Sequence, residues 1–282
     1  MAKEYAKVLK ALNSDFVVIG RGETSANDFE KKLQIRVIRG GIDSYIRLNP
    51  KVPEYAIIAV SAEHLYQVTK TMIDFGIKNL LVEKPAALNI HDIKELQRLS
   101  SENNCRIFVA YNRRFYSSVL KAKEIIKQDG GCISFTFEFS EFSHIVKDSV
   151  KPSEVKSKWF IANSTHVVDL AFYLGGKPRY ISCYASGGLD WHPSCSIFSG
   201  AGTSDNNALF SYHANWEAPG RWGVEILTRR YRSREVVDRI TRIRVARCGA
   251  FGIGKEQLLL LRHRNRRRIP AGRDVAFDRS NC

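Results

Sequence analysis

Leu80-Leu81-Val82-Glu83-Lys84-Pro85 joins a short apolar run to a lysine held between a carboxylate and a proline. Such a run reads as a buried strand of an α/β sheet, and these sheets bind ligands just beyond the carboxyl ends of their strands, where Glu83 and Lys84 stand. Pro85 fixes its own φ and biases Lys84 toward extended backbone, which narrows the direction of the ammonium. At a pocket mouth, a lysine so placed polarises a hydroxyl or carbonyl and shuttles a proton. On an open surface it is a solvated charge, and the three-residue word alone does not separate the two. His166 poses the same choice. It lies in Asn163-Ser164-Thr165-His166-Val167-Val168-Asp169 at the start of a helix, with Asp169 three residues on along the same side, and is either a proton-transfer group or a structural hydrogen-bonding one. The remaining histidines make no metal-ligand spacing, so no metal is expected.

The elements around these residues alternate. Tyr5, Val8, Leu9 and Leu12 mark one face of a first helix, followed by a buried strand Phe16–Ile19 that ends in the turn Gly20-Arg21-Gly22. A helix over Ser25–Leu33, a strand over Gln34–Ile38, a buried strand from Tyr55 to Val60, a helix from Glu63 to Phe75, the Leu80–Glu83 strand, a helix from Asn89 to Ser101 and a strand from Arg106 to Ala110 complete the first part. Strand–helix alternation at this interval predicts a mostly parallel α/β sheet with right-handed crossovers. The texture changes after about residue 116. Phe135, Phe137, Phe139 and Phe142 against Ser134, Thr136, Glu138 and Ser140 form a period-2 pattern for a half-buried antiparallel strand. Further strands are expected at Arg179–Ala185, Ala208–Trp216 and Trp222–Thr228, with Ala218-Pro219-Gly220 as a hairpin turn and one helix at Thr165–Leu174. The expected organisation is a dinucleotide-type domain over 1–116, an α+β domain with an open, mainly antiparallel sheet over 117–228, and an atypical tail over 229–282.

The tail carries most of the net charge of +15. Fifteen of its residues are Arg and one is Lys, against five acids, whereas the first 228 residues are close to balance. Clustered arginines, above all Arg262-His263-Arg264-Asn265-Arg266-Arg267-Arg268, could meet phosphate. No aromatic interleaving or binding module accompanies them, so a nucleic-acid partner is not expected. The six cysteines form no C-x-x-C pair and read as reduced thiols, no apolar run approaches the roughly 20 residues needed to span a bilayer, and no signal peptide opens the chain. The expected setting is cytoplasmic, without a membrane partner.

Four words occur in a particular order: Ala59-Val60-Ser61 with His64, Glu83-Lys84-Pro85, Tyr111-Asn112-Arg113-Arg114-Phe115, and His166-Val167-Val168-Asp169 leading to Leu174-Gly175-Gly176. In that order and spacing the chain resembles the glucose-fructose oxidoreductase and inositol dehydrogenase family, written Gfo/Idh/MocA, from residue 1 to about 230. The resemblance implies a Rossmann domain followed by an open-faced α/β domain, with NAD or NADP and a sugar, polyol or related substrate meeting between them. It implies hydride transfer between a substrate carbon and the nicotinamide, with Lys84 and His166 as the catalytic pair. Ser61, His64, Glu83, Lys84 and Asn112 would lie on the cofactor, and Lys84, Asn163, His166 and Asp169 on the substrate. A homo-oligomer paired through the outer sheet face is also implied. Gly20, Arg21 and Thr24, with no acid at that strand end, suit the 2′-phosphate of NADP, although a simple turn with a surface arginine fits the same residues.

Three departures accompany the resemblance. The glycine-rich G-x-G-x-x-G turn that would hold the pyrophosphate is not present, and the chain reads as truncated before it. Many members place an aspartate four residues before the histidine, where this chain has Ala162. The arginine-rich tail stands where the last strands are expected. An oxidoreductase with impaired cofactor binding is therefore the first expectation, a catalytically silent binding or scaffold protein of the same fold the second, and nucleic-acid binding through the tail the third.

Overall fold

The computed structural model describes residues 1–230, 239–246 and 258–263, the last two segments in their backbone course alone. The first half alternates as α1 (Ala2–Ala11), β1 (Val18–Ile19), α2 (Glu23–Leu33), β2 (Val37–Ile38), α3 (Gly41–Arg47), β3 (Tyr55–Ile58), α4 (Leu65–Asp74), β4 (Asn79–Glu83), α5 (Ile90–Glu102) and β5 (Arg106–Ala110). Helix starts follow local chemistry where a cap is available. Asn89 caps α5, its Oδ1 accepting the Asp92 amide at 2.8 Å.

All pairings in this half are parallel, as the alternation predicts, but the strands form two sheets. β1 pairs with β2, and β3-β4-β5 make a separate sheet, with no strand among the described residues between β1 and β3. The interior is divided in the same way. Ala6, Ala26, Phe29 and Val37 form one small core, while Ile58, Leu65, Ile73, Leu80, Val82 and Leu96 form another. This corrects two sequence expectations. Phe16–Ile19 is not a buried four-residue strand: only Val18 and Ile19 pair, and Val17 is 57% exposed. Tyr55–Val60 pairs only over Tyr55–Ile58, with Tyr55 and Ile57 exposed. Apolar character predicts burial, yet a strand is buried only when neighbours stand on both of its edges and faces.

The second half runs α6 (Ser117–Gln128), β6 (Cys132–Phe139), α7 (Ser143–Lys147), α8 (Ser153–Lys156), α9 (Thr165–Gly175), β7 (Pro178–Ser186), β8 (Ile197–Ser204), β9 (Leu209–Asn215), β10 (Trp222–Arg230), β11 (Arg239–Ala246) and β12 (Leu258–His263). Its seven strands lie in the order β12-β11-β10-β6-β9-β8-β7, antiparallel except that β6 runs parallel to β9. Phe135, Phe137 and Phe139 point from β6 into the core against Leu170, Ala171 and Leu174 of α9, with Trp216 and Ile226 beside them. α9 lies very close to the sheet at Gly175, where an added Cβ would sit 2.3 Å from the Phe135 ring. Ala218-Pro219-Gly220 is not a hairpin: it joins β9 to β10, and β6 stands between those strands. β8 was not foreseen, because Ser199-Gly200-Ala201-Gly202-Thr203 lacks the usual strand formers. Its glycines admit the neighbouring strand, since a Cβ at Gly202 would meet the Tyr180 carbonyl at 2.0 Å.

Two stretches of the arginine-rich segment, where the sequence reading found no resemblance to the last expected strands, continue the sheet in backbone as β11 and β12. The arginine run beyond residue 263, with Cys248 and Cys282, lies outside the described residues. The four cysteines within them are free thiols. No helix there is long and apolar enough to cross a membrane.

Candidate active site

Lys84 stands where its sequence context puts it, at the carboxyl end of β4, and Leu80 and Val82 before it are fully buried. Its peptide to Pro85 is cis. The following Ala86, Ala87 and Leu88 turn inward, and Leu88 packs with Val155 and Ala162 of the second half. That small apolar contact brings the loop after β4 against the turn Phe160–Ser164, which leads into α9. The Lys84 Nζ donates to the Ala162 carbonyl. Removal from water makes the ammonium costly, and the Arg113 guanidinium adds to the effect, with Lys151 contributing further; Glu83 and Glu141 oppose it, leaving the lysine lowered to about 8. A lysine in that range can donate to a substrate oxygen as ammonium or accept a hydroxyl proton as amine near neutral pH.

The turn that receives Lys84 is a π-helical one, a wide form that occurs mostly at functional sites. On its other side it holds Glu141, a residue sequence reading missed. Ser164 Oγ donates to Glu141 Oε1 at 2.8 Å, and Asn163 Nδ2 reaches the two carboxylate oxygens at 3.1 and 3.3 Å. Burial dominates here too and pushes the carboxyl up to about 7, although Ser164, Trp159 and Asn163 favour the charged form, as does the charge of Lys84. A signal was available: residues 135, 137, 139 and 141 share one parity, so continuing the phenylalanine pattern puts an acid at an inward-facing position.

His166 lies on the first turn of α9, its ring edge-on to Tyr111 with centroids 6.2 Å apart. Asp169, expected on the substrate, is engaged elsewhere: Arg114 Nε donates to its Oδ2 at 2.8 Å and Nη2 to its Oδ1, locking the turn after β5 onto α9. Asn163 faces Glu141. Asn112 opens the short turn Asn112–Phe115 and is exposed.

The residues expected along the cofactor fall at the carboxyl ends of β1, β3 and β4. Gly20 closes β1, its amide donating to the Ile38 carbonyl, and an added Cβ there would meet Val37 at 2.9 Å. Arg21 and His64 are joined, Nη2 to Nε2, at 3.0 Å, and Thr24 lies in the first turn of α2. Ser61 precedes the short turn that contains His64. Glu83 accepts from the Tyr5 hydroxyl at 2.8 Å, tying α1 to β4. These two links, Arg21 to His64 and Tyr5 to Glu83, connect the two parallel sheets across their carboxyl ends. An arginine with no carboxylate at the end of β1 fits a ribose bearing a 2′-phosphate. The cradle for the pyrophosphate, a glycine-rich strand-to-helix turn, is not supplied by the described residues.

A family model described as "Oxidoreductase family, NAD-binding Rossmann fold" (GFO_IDH_MocA) matches residues 2–111. An uncharacterized oxidoreductase of Escherichia coli K12, YhhX, is 26% identical over 137 residues, covering 48% of this chain and 39% of its own. The chain spans about two fifths of the length of the curated relatives it matches. Among solved structures, the WlbA dehydrogenase of Bordetella pertussis, in complex with NADH and UDP-GlcNAcA, aligns with a TM-score of 0.65 at 15% identity, covering 86% of this chain and 75% of that one. Levoglucosan dehydrogenase, in complex with NADH and levoglucosan, aligns at 0.59 and 17% identity, covering 88% and 70%. Likeness at that identity speaks for the fold, and the fold is shared across nearly the whole described chain. Residues 2–111 thus match the Gfo/Idh/MocA oxidoreductase family, with oxidoreductase relatives beside them.

Proposed function

We propose that this protein is a nicotinamide-dependent oxidoreductase acting on a hydroxyl or carbonyl carbon of a sugar, polyol or related ring, with NADP ahead of NAD. The observation that carries the reading is Lys84. It is desolvated at a strand's carboxyl end and reaches across to the turn before His166, so the two halves of the chain supply one proton-handling site. When bound, the nicotinamide gives or takes the hydride at its C4. Lys84 then holds the substrate oxygen and moves its proton, and His166, on the first turn of α9, is the second candidate for that transfer. Arg21 and Thr24 would receive the 2′-phosphate, with Gly20 allowing close approach, while Ser61, His64 and Glu83 would border the dinucleotide. The sugar-type substrate is supported by the two neighbours with bound ligands, whose complexes hold a UDP-sugar acid and levoglucosan.

Without a glycine-rich cradle, cofactor binding is expected to be weak. In a fluorescence titration of the 282-residue protein, NADPH should bind with Kd above about 0.1 mM, a free energy of about −5.5 kcal/mol, and more tightly than NADH. Arg21→Ala should remove that preference. A submicromolar Kd would overturn the weak-binding expectation, and an unchanged preference in Arg21→Ala would overturn the role of Arg21.

A silent scaffold is favoured by one observation, the sheet divided between β1 and β3. Substrate-dependent reduction of NADP would exclude it. We further propose pairing of two copies through the outer face of the large sheet, where Tyr180, Tyr184 and Leu209 are exposed. Sedimentation should give a dimer or higher oligomer that Tyr184→Asp weakens. A monomer at tens of micromolar would reject it.

A further inference from the structure

We propose that Glu141 is the charge partner of Lys84, a positioning residue that fixes the Phe160–Ser164 turn and sets the protonation of the lysine across it. The inference rests on the oxidoreductase reading for its consequence in turnover, but its geometry stands without it.

Lys84 cannot be matched by water alone, because its loop is packed against Val155 and Ala162 and its ammonium is spent on one backbone carbonyl. Two carboxylates act on it, Glu83 and Glu141, while Arg113 and Lys151 act against it. Glu83, the nearer in sequence, has the larger effect of the two and also accepts from the Tyr5 hydroxyl, tying α1 to β4. Glu141 is held differently. It is 9% exposed, follows the buried strand β6, and meets Ser164 and Asn163, the two residues that directly follow the carbonyl receiving Lys84. Ser164 is itself fully buried, so its hydroxyl is committed to this carboxylate. The turn is thus gripped from two sides, by a cation on the Ala162 carbonyl and by an anion on the next two side chains. A change of charge on either side is felt by the other across this buried turn.

Glu141 also borders a cleft of about 670 Å³ with Phe142, Trp191 and Glu217. Through that opening the carboxyl can exchange protons with solvent while remaining fixed to the turn. Burial raises its proton affinity and lowers that of Lys84, so the two groups titrate in neighbouring ranges. Their protonation is therefore coupled: loss of the Glu141 proton strengthens the hold of Lys84 on its own.

The test reads Lys84 directly and needs no turnover. Trace acetylation with acetic anhydride across pH, scored by mass spectrometry on the peptide containing Lys84, gives the lysine's titration midpoint in the full chain. In the wild type that midpoint should lie well below those of the exposed lysines. In Glu141→Gln, which keeps the shape and leaves one amide oxygen to accept from Ser164 and Asn163, it should fall by a further half a pH unit, about a threefold change in proton affinity. Ser164→Ala, a small change that loosens the carboxylate without removing it, should move the midpoint in the same direction by less. A Lys84 midpoint unchanged in Glu141→Gln, with native circular dichroism, overturns the proposal. Should that variant not fold, an unchanged midpoint in Ser164→Ala overturns it instead. If the protein shows no NADP-linked turnover on any sugar or polyol, the oxidoreductase reading fails while a shifted midpoint still supports the partnership. If turnover is found, its pH profile in Glu141→Gln should shift together with the labelling midpoint.

Discussion

Replacing Lys84 by alanine is expected to lower NADP-linked turnover by about 10²- to 10⁴-fold, the usual contribution of a placed acid or base, while leaving NADPH affinity within about threefold, or roughly 0.7 kcal/mol. The asymmetry follows from where the side chain points. Its ammonium donates to the Ala162 carbonyl of the second half, whereas Arg21 and Thr24 stand after β1 and in α2. The loss should therefore fall on the chemical step more than on cofactor binding. The fold should tolerate the change, since a desolvated ammonium lowered to about 8 costs the folded state free energy at neutral pH. Steady-state kinetics with the best substrate found, beside a fluorescence titration of NADPH, measures both quantities. Turnover unchanged within a factor of three would remove Lys84 from the reaction.

The second large effect is on stability and its pH dependence. Glu141 has a folded-state value of about 7 against an ordinary 4.5, so the fold prefers its protonated form. With the folded value raised, the contribution to stability is fully present below pH 4.5 and is lost as pH rises through 7. A difference of that size corresponds to roughly 3 kcal/mol. The lysine acts in the opposite sense over a different window. Its folded value lies below the ordinary 10.5, so the cost of its charge is present below pH 8 and is relieved as pH climbs toward 10.5. The wild type should therefore show a shallow minimum of stability between pH 7 and 8. Glu141→Gln should lack the decline from pH 5 to 8, be close to the wild type at pH 5, and exceed it at pH 8 by up to about 3 kcal/mol. Urea denaturation at the two pH values measures this, and parallel behaviour of the two proteins would refute it. A variant that is more stable at pH 8 yet altered at Lys84 is what a strained functional site predicts.

Within residues 1–116, periodicity was enough to read parallel strands alternating with helices, because both the 3.6-residue and the 2-residue patterns are properties of the chain itself. It placed Lys84 at a strand end and His166 at the start of a helix, and both stand there. The phenylalanine pattern of β6 likewise marked the core of the second half. Strands built of small residues, such as β8, were not legible, since their pairing depends on close approach of a neighbour and not on side-chain preference. α3 was not foreseen either: Gly40 and Gly41, both in the left-handed region, stand at its start.

Partnership was the second thing hidden from the one-dimensional pattern. Asp169 at i+3 from His166 suggested a local pair, yet Arg114, 55 residues away in sequence, takes both of its oxygens. Asn163, read as a substrate contact, donates to Glu141, a partner the sequence did not suggest. Ala162, which has no side chain to contribute, offers its carbonyl to Lys84.

The sequence by itself pointed to the family resemblance, to parallel strands followed by a mainly antiparallel sheet, and to Lys84 and His166 as candidates, because each rests on residue type and spacing along the chain. Only the tertiary structure decided that Glu141 meets the turn receiving Lys84, that Asp169 pairs with Arg114, and that the parallel strands divide into two sheets. Burial and charge pairing are set by which elements meet in space. Proton affinity depends on those neighbours, so the chemistry of Lys84 became readable only once the turn before α9 was seen against it.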